Sequence, residues 1–158
     1  MSPFISQAGT VLFVIATSAT TAVAQADAKQ QTPVQALVSV VRDVGKFQSE
    51  FAKGTKEAFF FALADRDGAL IHAVRDVVDK KLEAAGVAEL IKIIQNLRQS
   101  AKETDGFICA NAAFALGQFG QAARSALPTL ALLKNHSFGL AKSDAAEPQQ
   151  EIAKQCAA

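Results

Sequence analysis

The chain has 158 residues, with 16 Lys and Arg against 15 Asp and Glu, and half of its residues are hydrophobic. The two signs are interleaved with no run of like charge, which leaves no electrostatic footprint for nucleic acid or an anionic lipid surface. All of these charges lie after residue 26, and the 132 residues from Asp27 onward are enough for one compact domain.

Residues 1–26 have the layout of a secretory signal peptide. Val11-Leu12-Phe13-Val14-Ile15-Ala16 is a short apolar core, followed by a Ser/Thr/Ala-rich stretch and two small-x-small sites, Ala22-Val23-Ala24 and Ala24-Gln25-Ala26. The core is shorter than the roughly 20 apolar residues of a membrane span. No Lys or Arg occurs among the first ten residues, so an uncleaved N-terminal anchor stays open as the alternative. The expectation is a mature domain from 27 to 158, secreted or periplasmic, starting at Gln25 or Asp27, with no membrane span after the leader is removed.

Thr32-Pro33 supplies an N-cap with Pro at the first helical position. Val34, Leu37, Val41, Val44, Phe47 and Phe51 form an apolar stripe, which predicts a helix from Pro33 to about Lys53, broken at Gly54-Thr55. Lys56 to Ala64 contains Phe59-Phe60-Phe61, enough to be buried on more than one side. Asp65-Arg66-Asp67-Gly68 reads as a turn. It lacks the spacing of a calcium loop, because Leu63 and Val74 stand at the first and last ligand positions. Leu70, Ile71, Val74, Val77, Val78, Leu82 and Ala85 predict the next helix, closed by Gly86. Val87, Leu90, Ile91, Ile94 and Leu97 predict another, ending near Ser100. Period-two alternation is absent, so the fold class is all-α.

The stretch from Ala112 to Asn135, AAFALGQFGQAARSALPTLALLKN, carries the most information. An alanine-rich helix ends in Leu116-Gly117-Gln118-Phe119-Gly120, and a second follows with Ala123, Ala126, Leu127, Leu130 and Leu133 on one stripe. A Gly just past a helix can take the left-handed conformation that stops it. This stretch resembles a HEAT-type helical repeat of the short bacterial kind also found in phycobilin lyases. The family's acidic-Pro-x-x-Val-Arg opening is not matched at residues 102–107. The resemblance implies a short right-handed α-solenoid of antiparallel helical hairpins, with a compact antiparallel bundle as the alternative. Gly86, Gly117 and Gly120 would then be structural turn residues. Leu82 and Gly86 precede Leu116 and Gly120 by 34 residues, which reads as a second, degenerate repeat. His136 to Glu147 lacks apolar periodicity and reads as a loop, followed by a short helix from Pro148.

Cys109 and Cys156 are the only cysteines, and an even pair in an oxidising compartment reads first as a disulfide. Under the repeat resemblance, Ile108 and Ile152, 44 residues apart, fall at equivalent positions and place the two cysteines on adjacent stacked helices. Two buried free thiols are the alternative. His72 and His136 show no ligand spacing, Ser125 lacks a nucleophile-elbow context, and phosphate-binding Gly loops are missing. Neither catalytic residues nor a cofactor or metal site are expected. Three readings remain: a scaffold that binds a protein or peptide in a groove between parallel helices, a helical carrier that encloses a lipid or other apolar ligand near Phe59-Phe60-Phe61, and, least favoured, an enzyme of unrecognised type.

Overall fold

The computed structural model describes residues 31–157, except position 55 and the side chains of residues 56–65. The expected leader lies outside the described residues, as do the side chains of Phe59, Phe60 and Phe61. The described part is all-α, with helices α1 (Pro33–Phe51), α2 (Lys56–Asp79), α3 (Glu83–Leu97) and α4 (Glu103–Gln118). A 3₁₀ segment (Gly120–Ala126), the short α5 (Leu127–Leu132), a 3₁₀ turn (Leu133–Asn135) and α6 (Gly139–Ala157) follow. Among the described residues there is no strand.

Local chemistry starts α1. The Thr32 hydroxyl accepts from the Gln35 N–H at 3.3 Å, while the Gln35 side chain accepts from the Thr32 N–H at 3.1 Å. This reciprocal box, with Pro33 at the first helical position, satisfies donors that a helix start otherwise leaves orphaned.

Everything else is arranged around α4. Ten of its 16 residues are buried, so over most of its length it has no solvent face. Ala110, Ala112, Ala113 and Ala115 are fully buried and small enough to let α1, α3 and α6 come close. Against α1 the direction is antiparallel. Ser49 meets Thr104 hydroxyl to hydroxyl at 2.8 Å, Gly45 backs onto Ile108, and the Asn111 side chain donates to the Val41 carbonyl at 3.4 Å. Against α6 the direction is parallel: Gly106 faces Phe138, Gly117 faces Pro148 and Gly120 faces Gln155.

Several elements depart from the sequence reading. Asp65-Arg66-Asp67-Gly68 is not a turn but the interior of α2, one continuous helix of 24 residues. Its buried stripe of Leu70, Ala73, Val74 and Val77 outweighs the local turn preference. The next break falls at Lys80–Leu82, where Lys81 takes φ +57°, and not at Gly86. Gly86 lies inside α3 and serves close packing: a Cβ there would sit 3.0 Å from both Phe119 and Val77. Gly86 and Gly120 are therefore not equivalent turns, and the 34-residue correspondence pairs unlike positions.

The stretch 139–147 is helical rather than a loop, and Pro148 lies inside α6 rather than at its start. Ala141, Ala145, Pro148 and Ile152 are buried in a 4-3-4 spacing, one helix stripe built largely from small residues.

Gly120 has φ +54°, and a Cβ there would also strike the Gln155 side chain. Gly117 is helical, in the last turn of α4. Gly120→Val is expected to lower stability by about 1–3 kcal/mol, because a β-branched residue is strained in the left-handed region. Thermal melting checks this, with Gly120→Ala falling between variant and parent; equal midpoints would be incompatible with the turn.

Candidate functional site

A cleft of about 380 Å³ opens between α4 and α6 with α2 at its end. Arg66 and Asp67 come from α2, Phe114, Gly117 and Gln118 from α4, and Asp144, Glu147, Pro148 and Glu151 from α6. Gly117 lets the two parallel helices meet, since a Cβ there would lie 2.9 Å from the Pro148 ring.

Arg66 anchors the site. Its residue is 8% exposed, an unusual depth for a guanidinium. Nε donates to Asp67 Oδ1 and Nη1 to Asp144 Oδ2, both at 2.7 Å, and the guanidinium carbon lies 4.9 Å from the Phe114 ring centroid. The charge is thus paired, hydrogen-bonded and stacked, which is how a buried cation is tolerated. Burial raises the Asp144 carboxyl above its ordinary value, and the Arg66 charge and hydrogen bond only partly oppose this. The ionised aspartate therefore costs some stability even when paired. The pair acts as a positional tie between α2 and α6 more than as a source of net stability.

With two aspartates on one arginine, and Glu147 and Glu151 on the rim, the cleft carries negative charge above a floor of Phe114 and Pro148. That arrangement suits recognition: acceptors at the edge and apolar surface beneath. Among the described residues no group of three His, Cys, Asp or Glu is placed to hold a metal ion. A smaller groove of about 270 Å³ lies between α1, α3 and α4, with Arg42, Lys46 and Asn96 around Ile93 and Ile108.

The cysteines are not brought together. Both are free thiols, and the bond expected between Cys109 and Cys156 is not formed. The register of α4 against α6 explains this. Facing residues are offset by 32 (Gly106 to Phe138), 31 (Gly117 to Pro148) and 35 (Gly120 to Gln155), not by the 44 that separates Ile108 from Ile152. Cys156 therefore lies level with Gly120, eleven residues beyond Cys109. At 1.5 Å per residue this is roughly 16 Å along the axis, far beyond the span of a disulfide. Burial, aided by Asp105, pushes the Cys109 thiol up to about 12, which leaves it unreactive. In the native protein, iodoacetamide is expected to modify Cys156 and to reach Cys109 only after denaturation. Peptide mass mapping reads this directly; equal labelling of both thiols before unfolding would contradict the burial of Cys109.

Of the two histidines, His72 is exposed on α2 and His136 is buried just after the 3₁₀ turn Leu133–Asn135. Arg66 escaped the sequence reading, although a signal exists: it stands four residues before Leu70, on the apolar stripe of α2. Asp144 likewise stands three residues after Ala141 and four before Pro148, beside the buried stripe of α6.

Comparison of this chain with protein-family models, with curated proteins and with solved structures gives no match.

Proposed function

We propose that this chain is a small exported helical binding protein without catalytic activity, whose cleft between α4 and α6 receives a segment of a partner protein or peptide. The cleft itself carries the reading: the parallel helices α4 and α6, with α6 tied to α2 at Arg66–Asp144, present carboxylates above an apolar floor. The HEAT-like reading draws support from the same place. Helix α4, the returning 120–135 segment and the parallel α6 follow one another as a repeat and the first helix of the next. These two clefts are open and polar-edged, as a groove-binding scaffold requires. Export rests on the charge-free leader with its two small-x-small sites.

A photo-crosslinking residue at Gln118 or Glu147, both exposed on the cleft rim, tests the binding site. In the extracytoplasmic fraction it should trap one discrete partner, and the same probe at Lys92 on α3 should trap none. Indistinguishable products from all three positions would end the cleft reading. Mass spectrometry of a solvent extract of the purified protein separates the carrier, which would yield a stoichiometric apolar ligand. N-terminal sequencing should find Gln25 or Asp27 first; a start at Met1 or Ser2 in a membrane fraction would favour the anchor.

A further inference from the structure

His136 occupies the corner between the 3₁₀ turn and α6 and is 2% exposed. Its backbone N–H donates to the Leu133 carbonyl at 2.9 Å, closing the turn behind it. Its ring Nδ1 accepts from the Phe138 N–H at 3.0 Å, just ahead of the first residue of α6. Phe138 is itself a packing anchor. Its ring meets Phe107 edge-on with centroids 4.7 Å apart and lies so close over Gly106 that a Cβ there would come within 2.6 Å. The imidazole therefore holds the peptide that seats α6 on the start of α4.

An acceptor nitrogen carries no proton, so in this arrangement the neutral ring bears its hydrogen on Nε2. Protonating Nδ1 would point one N–H at another and delete the acceptor. It would also place an extra positive charge beside a helix N-terminus, where the peptide dipoles disfavour it. We propose that His136 is an acid-sensitive latch: neutral, it fastens the first turn of α6 to the body of the protein; protonated, it releases that turn.

Burial, as the largest cause, lowers the proton affinity of His136 below the ordinary histidine value of 6.5, and the Lys142 charge on α6 acts in the same direction. The Leu97 backbone at the end of α3 opposes them, although Nε2 has no partner in hydrogen-bond geometry. The unfolded chain therefore takes up this proton first as pH falls. The stability tied to the neutral ring is complete above about 6.5 and drains away below it, toward the lower folded value. Asp144, the other titrating tie on α6, works in the opposite sense. Its folded carboxyl is raised, so acid favours the folded form there, and Asp144 cannot imitate a loss of α6 on mild acidification.

Loosening at His136 would reach the cleft, because α6 carries Asp144, Glu147 and Glu151. The latch itself is independent of what the cleft binds. Its test is amide hydrogen exchange and imidazole NMR on the full chain between about pH 7.5 and pH 5.0, the interval spanning the histidine value. After correction for intrinsic exchange, protection of the Phe138 amide, and of Lys142 as the first amide bonded within α6, should fall roughly two- to tenfold as the His136 ring titrates, the worth of one hydrogen bond. His136→Asn supplies a carbonyl that can accept the same N–H two residues on and does not titrate; its profile should be flat. Identical pH profiles for parent and His136→Asn would overturn the latch. So would a His136 ring that titrates while the Phe138 amide stays protected, a result readable in the parent alone should the variant fail to fold.

Discussion

Gly45→Val is expected to cause one of the largest losses of stability available to a single substitution in this chain. Gly45 is the point where α1 crosses closest to α4, and a Cβ there would lie 2.6 Å from Ile108 Cγ1, 3.0 Å from the Ile108 nitrogen and 3.2 Å from its Cα. A side-chain tip can rotate away, but the backbone of Ile108 is held in the middle of a buried helix. The two helices must then separate, opening the seam that Ser49–Thr104 and Asn111–Val41 close on either side. Overpacking of this kind costs about 3 kcal/mol, a large part of the roughly 5–15 kcal/mol that keeps a domain folded. A fall in melting temperature on the order of 10 °C should follow. Gly68→Ala is the counterpart. A Cβ there meets nothing within 4 Å, the site is exposed and mid-helical, and the change should raise stability by about 0.5–1 kcal/mol. Similar melts for both glycine variants would mean that the close crossing at Gly45 does not govern the fold.

Arg66→Ala should come next in severity. It strips the half-buried Asp144 of its hydrogen bond to the guanidinium, removes the cation from the face of Phe114 and leaves a void where the long aliphatic stem had packed. Breaking one side of a buried pair costs about 3–5 kcal/mol in well-enclosed cases. Asp144 retains 17% exposure of its side chain, and its raised proton affinity lets it neutralise, so a loss of about 2–3 kcal/mol is the expectation here. Asp144→Asn should cost less, because an amide can still accept from the guanidinium. The double variant should cost less than the sum of the two single ones, since each removes the other's reason for being buried. Urea unfolding of the four proteins measures this coupling. Strict additivity would show that the two groups do not tie α2 to α6.

The elements most legible in the sequence were those whose buried residues are large. Leu90, Ile94 and Val87 mark α3 at helical spacing, and Thr32-Pro33 marks the start of α1 by cap chemistry alone. The class followed from such patterns and from the lack of alternation. Helix α6 was illegible for the same reason in reverse: its buried residues are Ala141, Ala145, Pro148 and Ile152, set among Lys, Ser, Asp and Glu, so its stripe has almost no hydropathy contrast. Local turn chemistry misled twice. Asp65–Gly68 has the composition of a turn yet lies within α2, while the left-handed residue that ends α2 is Lys81, a residue type that gives no warning. The cleft was hidden as well, since its walls include the part of α2 read as a turn and the part of α6 read as a loop. Without the register of α6 on α4, the cysteine separation was likewise out of reach, because spacing along the chain says nothing about how far two parallel helices have slid.

Helix α4 also sets an order in time. It leaves the ribosome before α6, yet one side of it packs mainly on α6, which follows it by twenty residues. Until Gly139–Ala157 is available, the alanine face of α4 has no lid, and the earlier helices can gather around it without closing. Completion of the core is thus deferred to a late, mostly polar helix that adds little apolar surface of its own. Nascent forms ending before that helix should remain open and clingy, so they are good clients for a holding chaperone and easy prey for proteases, whereas the closed protein is neither.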